Sequence, residues 1–400
     1  MNNVTHASGE GGTEANPLVG GPAVRADGEV VGRIARSISR RIQILRMLLI
    51  LTIVAVHIPP AAWDAMQPTY SAEWFLFCKV FFNRIFSRSA VPALSAISGF
   101  LIFTGIQTVP YGRLMLSKCR SLLWPLLLWN GVVLSVILLV SHHPPAGIES
   151  VPRLDPINLL NELFGLAAAP ANFPLAFLRD LFACAALSPL LWFVLRRAPW
   201  LGFVALAVIA IADIPIWIVQ RQMMLLCFYL GGLVVLKKWD PEGLDRYAPY
   251  LIATYVICAL GLTWLISREP SAILSQNTYA ADAAYLGIMA GALKAFGVPT
   301  FWAMSSMLQR ASFADFVVRS SRFTFLIYCA HMPVMQLLWR IWMRFVGDQN
   351  APTYPVFYFA AAPLAVSLIV AGYLVLSRIS PRLLAILEGG RIHRSDTLRA

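Results

Sequence analysis

The stretch LRMLLILTIVAVHIPP, residues 45–60, has the composition of a membrane-spanning helix but contains two polar side chains, Arg46 and His57. Eleven residues at about 100° each amount to about three turns plus 20°, so a helix would place both side chains on nearly the same face. At 1.5 Å of rise per residue they would lie roughly 16 Å apart along that face. A polar face of this kind predicts contact with a protein interior or a wet cavity rather than with lipid.

The composition of the whole chain indicates an integral membrane protein of the all-α class. Only 13% of the 400 residues are charged and 58% are hydrophobic, with a mean hydropathy of +0.67. A soluble chain would carry about 25% charged residues. The net charge of +12 could point to nucleic acid, but the basic residues cluster at the ends of apolar runs. We therefore interpret the charge as a topology signal and predict no nucleic-acid partner.

The apolar runs predict a polytopic transmembrane helix bundle of about ten spans. They cover roughly residues 43–60, 89–107, 121–141, 174–195, 200–219, 222–237, 248–267, 281–301, 323–344 and 354–377. Residues 73–87 mix aromatic and basic side chains and predict either an interfacial helix or an extension of the second span. Most Lys and Arg residues fall on one side if both termini are cytoplasmic, which is the orientation we predict.

The predicted organisation is a disordered cytoplasmic tail at 1–38, a transmembrane domain at 39–380 and a cytoplasmic C-terminal tail at 381–400. The six cysteines lie in or beside apolar stretches at unrelated spacings. They form neither a disulfide framework nor a zinc pattern, so we expect buried apolar side chains and no metal site.

Several further motifs accompany Arg46 and His57, and each has a structural alternative. Arg46 can be a positive-inside anchor and His57 an interfacial residue. In RSAVPALSAISGFLIF (88–103), Ser98 can hydrogen-bond across helices and Gly99 allows close packing. In FTFLIYCAHMPV (323–334), Tyr328 and His331 share a helix face at i, i+3, where a function competes with a buried hydrogen bond.

Two more polar positions carry open alternatives. Arg179 and Asp180 start the predicted fourth span, where a local ion pair competes with sugar binding. Asp213 falls inside the predicted fifth span, where a carboxylate is either functional or satisfies a kink at Pro215.

Taken in order, these motifs resemble the membrane-bound acyltransferase type 3 family over about residues 40–391. The family's most specific mark is a basic residue, ten intervening residues and a histidine in the first span, which matches Arg46 and His57. ISGFL (97–101), RSLLWPLLLW (120–129) and LIYCAHMPV (326–334) are similar to its later elements. The chain departs from the family at Met47, where a glycine is common, and at Lys118 and Arg120, which replace a more widely spaced arginine pair.

The resemblance implies transfer of an acyl group, usually acetyl, from cytoplasmic acyl-CoA to a hydroxyl of a cell-surface polysaccharide or its lipid-linked precursor. Acyl-CoA would be a co-substrate rather than a permanently bound cofactor. The implied partners are the carbohydrate acceptor, the lipid bilayer and polysaccharide biosynthesis machinery.

Arg46, Lys118 and Arg120 suit the phosphates of coenzyme A, because basic side chains bind phosphate through charge-assisted hydrogen bonds. His57 can act as general base on the acceptor hydroxyl, or it can accept the acyl group itself; the sequence leaves both open. The candidates for substrate or oxyanion contacts are Arg88, Ser98, Gly99, Arg179, Tyr328 and His331.

Two competing functions have less support in the sequence. One is a membrane transporter or flippase of a glycan precursor, which would use the polar stripe as a path. Transporters of that kind often have Gly- or Pro-broken spans at matching positions of two halves, and the sequence has no such pair. The other is a structural membrane subunit in which Arg46 and His57 have no chemical role.

Overall fold

The computed structural model describes residues 22–60, 72–141, 155–268 and 284–390. Within these ranges the chain is helical, and the single extended pairing is an isolated bridge between Ile216 and Val219. The predicted all-α class is confirmed.

The helices are defined here in chain order. The first group comprises α1 (Pro22–Val56), α2 (Glu73–Ile106), α3 (Tyr111–Lys118 and Trp124–Ser141, joined by a π-helical Cys119–Leu123), α4 (Pro156–Phe164), α5 (Ala176–Ala186), α6 (Ser188–Arg197) and α7 (Pro199–Ile211). The second group comprises α8 (Gln222–Leu236), α9 (Ala248–Arg268), α10 (Ala284–Leu308), α11 (Ala314–Ser320), α12 (Thr324–Phe345), α13 (Tyr354–Ile379) and α14 (Pro381–Leu387).

Five of the described helices are long and apolar enough to cross a membrane, or six if α5 and α6 count as one bent span. The axes of α5 and α6 differ by 55°, and Pro189 lies in the first turn of α6. Proline lacks the amide hydrogen that would continue a helical ladder, which accounts for a break at this point. Helices α1 and α12 are also long, but they carry charged and polar side chains.

Several predicted boundaries differ from the structure. Residues 73–87 belong to α2, so the extension of the second span is correct. Helix α7 ends at Ile211 and Asp213 adopts a positive φ of 50°, so the placement of Asp213 inside a helical span is wrong. Helix α10 continues to Leu308, because no helix-breaking sequence follows its predicted end at residue 301.

The N-terminal part of α1 overlaps the predicted disordered tail. Helix α1 begins at Pro22, so residues 22–38 are helical where an irregular tail was expected. Residues 1–21 and 391–400 lie outside the described residues.

Helices α2 and α8 pack backbone against backbone through glycine. A Cβ atom on Gly99 would collide with the carbonyl oxygen of Phe228, and one on Gly231 would collide with that of Ala96. Small residues allow this close approach of the two backbones. The resulting van der Waals contacts stabilise the helix pair in lipid, where the hydrophobic effect does not drive helix association. The ISGFL motif (97–101) on α2 and the stretch FYLGGLVV (228–235) on α8 therefore form one helix contact.

A buried arginine fixes the position of α1. Arg41 donates two hydrogen bonds to the carboxylate of Asp245, at 3.0 and 2.8 Å, and its Nε donates to Ser305 Oγ at 2.9 Å. Its guanidinium also lies 4.2 Å from the centre of the Trp302 ring. Because the guanidinium is fully buried and satisfied by partners on α10 and in the segment before α9, it sets the position of the helix that carries Arg46.

Candidate functional site

A cavity of about 750 Å³ lies between α1, α2, α3, α5 and α12. Four basic residues line it: Arg46, Lys118, Arg319 and Arg322. On α1 the lining residues Gln43, Arg46 and Ile50 follow the i, i+3, i+7 pattern of one helix face. The sequence-based expectation that Arg46 faces a cavity, together with Lys118, therefore agrees with this geometry.

Arg319 and Arg322 are the cavity residues that the sequence interpretation missed, because it counted them only as topology charges. Arg322 Nε is buried and has no hydrogen-bond partner among the described residues, and its guanidinium lies 4.7 Å from the centre of the Phe323 ring. A buried, unsatisfied donor in a cavity wall is suited to an anionic ligand. Their spacing of three residues is the signal that was available in the sequence.

Arg120 does not belong to this cavity. It is exposed and lines a separate pocket with Gly389 and Gly390, close to α14. Lys118 and Arg120 are two residues apart, so their side chains point to different sides of α3. The structure thus separates Arg120 from the other predicted phosphate ligands.

The two histidines meet beyond the cavity. His57 follows directly after α1, and its Nδ1 lies 3.1 Å from Nε2 of His331 on α12. His331 is fully buried, and its Nδ1 lies 2.7 Å from the carbonyl oxygen of Tyr328. The ring of Phe173 packs edge-on against His57 at a centroid distance of 4.9 Å.

These contacts define the hydrogen positions of a neutral histidine pair. A carbonyl oxygen only accepts, so Nδ1 of His331 must carry a hydrogen, and its Nε2 is then an acceptor. Nδ1 of His57 must therefore donate to that acceptor. In such a neutral pair Nε2 of His57 is unprotonated, the form that a general base or a nucleophile requires.

Tyr328 connects the cavity with the histidine pair. It lines the cavity, and the centres of its ring and that of His331 are 6.0 Å apart. Its hydroxyl donates to the carbonyl oxygen of Pro174 at 2.5 Å. Neither histidine lines the cavity itself, so Tyr328 is the lining residue through which the cavity wall meets the histidine pair.

Two of the other candidates lie on neighbouring faces of α2. Ser98 lines the cavity, and its hydroxyl donates to the carbonyl oxygen of Leu94 at 2.8 Å. Gly99, the next residue, faces α8 instead and serves the helix contact described above. Of the two, only Ser98 is therefore available to a ligand in the cavity.

The remaining arginine candidates, Arg88 and Arg179, are not among the residues that line the cavity. Nε of Arg88 donates to the carbonyl oxygen of Asn83 at 3.1 Å, and the charges of Arg88 and Arg221 act electrostatically on His57. Arg179 forms an ion pair of 2.6 Å with the buried carboxylate of Asp180, which also accepts a hydrogen bond from the amide of Gln220. The local ion pair was one of the two sequence-based alternatives for Arg179.

Comparison with known proteins finds one matching family and one similar protein. The profile of a family described as an acyltransferase domain matches residues 40–374. The chain is also 32% identical over 368 residues to the succinoglycan biosynthesis protein ExoH of Rhizobium meliloti (strain 1021), which covers 89% of this chain and 93% of that protein. No solved structure matches the chain.

Proposed function

The chain belongs to the membrane-bound acyltransferase type 3 family, and from that premise we propose that it is an integral membrane O-acyltransferase. The proposed donor is an acyl-CoA, with acetyl as the acyl group. The proposed acceptor is a hydroxyl group of an exopolysaccharide or of its lipid-linked precursor. The printed name of the Rhizobium relative, a succinoglycan biosynthesis protein, supports an exopolysaccharide acceptor.

The cavity described above is the single observation that carries this proposal. Its basic residues Arg46, Lys118, Arg319 and Arg322 suit the phosphates of coenzyme A, and Tyr328 leads from it towards the histidine pair. The elongated arm of coenzyme A would extend from these cations along the face of α1 and bring its thioester towards His57. We refer to this space as the donor cavity.

His57 Nε2 is the proposed reactive atom, and two routes use it. As a general base it takes the proton of the acceptor hydroxyl while the oxygen attacks the thioester carbonyl; the C–S bond breaks and the coenzyme A thiolate receives the proton. As a nucleophile it attacks the thioester carbonyl first, the C–S bond breaks and coenzyme A leaves as the thiolate. The acceptor oxygen then takes the acyl group from Nε2, and the proton of its hydroxyl goes to that thiolate. Both routes need the same unprotonated Nε2.

The proposed topology places the basic end of the donor cavity in the cytoplasm, where acyl-CoA is made, and the histidine end towards the outer face. It comprises about ten spans with both termini cytoplasmic, in a bacterial inner membrane. The bent pair α5–α6, the short apolar helices α7 and α8, and the polar α1 and α12 would supply five spans beyond the five long apolar helices.

Transfer of label from acetyl-CoA tests the proposal. The purified protein in lipid nanodiscs receives radiolabelled acetyl-CoA and a de-esterified exopolysaccharide, and label in the glycan is counted. We expect transfer by the wild type and at least a hundredfold loss in His57→Ala, since a general base contributes roughly 10²–10⁴-fold. His57→Ala with wild-type transfer would refute the role of His57.

Arg46→Ala should raise the acyl-CoA concentration that the transfer requires, because a phosphate contact is lost. The same protein in sealed vesicles tests the transporter alternative. Glycan precursor that crosses the bilayer while acyl-CoA stays intact would exclude the acyltransferase and favour a transporter.

A further inference from the structure

A second cavity, of about 510 Å³, lies on the other side of α1 and α2 from the donor cavity. Leu45 faces the second cavity while its neighbour Arg46 faces the donor cavity, and Ile97 and Ser98 on α2 divide in the same way. The two helices that carry the proposed site therefore form a common wall between two spaces. The proposed acyl transfer makes no use of this second space.

The lining of the second cavity is apolar apart from its mouth. Its interior is lined by apolar residues that include Ala93, Ile97 and Phe100 on α2 and Val298 on α10. At 1.5 Å of rise per residue, the α2 segment from Ala93 to Phe100 gives it a depth of roughly 10 Å. That is about two thirds of one leaflet of a bilayer with a hydrocarbon core of roughly 30 Å.

Two charges of opposite sign and two aromatic side chains surround the mouth. Asp240 and Arg246 both line it, and Arg246 has no ion-pair partner within 4.0 Å among the described residues. Its guanidinium lies 4.6 Å from the centre of the Tyr247 ring. Trp239 and Tyr247 are about half exposed, at 45% and 46%, as is typical of aromatic side chains at the level of lipid headgroups.

We propose that this cavity is a binding site for one phospholipid with a zwitterionic headgroup, specifically phosphatidylethanolamine. One acyl chain fills the apolar interior, the phosphate meets Arg246 and the ammonium group meets Asp240. The volume lies in the range of roughly 300–1,000 Å³ that is common for small-molecule sites. Apolar side chains around such a space lose their packing contacts unless an apolar group fills it.

A bound lipid would also support the proposed enzyme, and this consequence rests on the proposed function. An acyl chain against Leu45 and Ile97 presses on the wall whose other face carries Arg46 and Ser98. Occupancy of the lipid site therefore stabilises the shape of the donor cavity. The lipid site itself needs no acyl-CoA and is tested without it.

Native mass spectrometry of the full-length protein tests the site directly. The protein is extracted in mild detergent, and dioleoyl phosphatidylethanolamine or dioleoyl phosphatidylglycerol is added at equal molar excess. We expect one retained phosphatidylethanolamine per chain and at least fivefold less retention of phosphatidylglycerol, whose headgroup has no cation for Asp240. Absence of retained lipid, or equal retention of both lipids, would overturn the proposal.

Two kinds of variant locate the lipid. Val298→Trp fills the cavity and should lower retention at least tenfold, whereas Val375→Trp on the exposed face of α13 should leave it unchanged. Arg246→Gln, at an exposed position that does not endanger folding, should lower retention about fivefold. Equal retention by the two Trp variants, or wild-type retention by Arg246→Gln, would show that the lipid binds elsewhere and contradict the assignment.

Discussion

The contact between His57 and His331 predicts that two isosteric substitutions of His331 have different effects. Glutamine can place its amide oxygen near the position of the imidazole Nε2, which accepts from His57. Asparagine can place its amide nitrogen near Nδ1, which donates to the Tyr328 carbonyl at 2.7 Å, but it does not reach His57. If the role of His331 is to orient His57, His331→Gln should keep clearly more of the activity than His331→Asn does.

The size of the effect follows from one hydrogen bond. A neutral hydrogen bond contributes roughly 0.5–1.5 kcal/mol, and about 1.4 kcal/mol corresponds to a tenfold change in rate. Without its acceptor at 3.1 Å, the His57 ring loses the preference for hydrogen on Nδ1 and for its present orientation. We expect kcat to fall about tenfold in His331→Asn and no more than about threefold in His331→Gln, well short of the roughly 10²–10⁴-fold loss of a general base.

The assay is label transfer from acetyl-CoA to exopolysaccharide by protein in nanodiscs, with kcat and KM measured separately. KM for acetyl-CoA should stay within about twofold in both variants, since the basic residues of the donor cavity are untouched. Thermal unfolding in the same nanodiscs checks that the two proteins are equally stable. Equal kcat values for the two variants at equal stability, or a rise in KM without a fall in kcat, would refute the orienting role of His331.

Three further outcomes are expected. Arg322→Gln should raise KM for acetyl-CoA about tenfold through the loss of a charge-assisted contact, while Arg120→Gln, in its separate pocket, should leave KM unchanged. Equal effects of the two substitutions would show that coenzyme A does not bind in the donor cavity. Gly99→Ala should destabilise the fold by about 1–3 kcal/mol, and Gly131→Ala, with nothing within 4 Å, should not; thermal melting of both compares them. Arg41→Met should cost about 3 kcal/mol because it leaves Asp245 without its buried partner, and an unchanged melting temperature would contradict this.

The sequence predicted the parts of the site that depend on helical periodicity. Arg46 lines the donor cavity from one face of α1, and His57, which directly follows α1, contacts His331. Tyr328 and His331 lie one turn apart on α12 for the same reason. Their meeting with His57 required knowledge of which helices are neighbours, and periodicity within one helix carries no such information.

The failures of the sequence interpretation have physical causes. Arg120 was grouped with Lys118 although residues two apart face different sides of a helix, an error that the helical period could have prevented. Arg319 and Arg322 were treated as topology charges because their three-residue spacing, although visible in the sequence, does not distinguish a cavity wall from a helix end. Gly99 was predicted as a substrate or oxyanion contact together with Ser98, its neighbour in the motif. A step of 100° along the helix places Gly99 at the interface with α8 and not in the cavity.

The same two helices contribute to both ends of the proposed reaction path. Helix α1 carries Arg46 at the basic end and leads to His57 at the other, and α12 contributes Tyr328 to the cavity wall and His331 to the histidine pair. Ten of the eleven steps from Arg46 to His57 lie within α1. The spacing of these two backbone positions, roughly 16 Å, is therefore set mainly by helical rise. A donor must hold its phosphates and its reactive carbonyl that far apart to engage both ends. The extended arm of coenzyme A, the proposed donor, would meet this requirement, whereas an acyl phosphate, with both groups adjacent, would reach only one end.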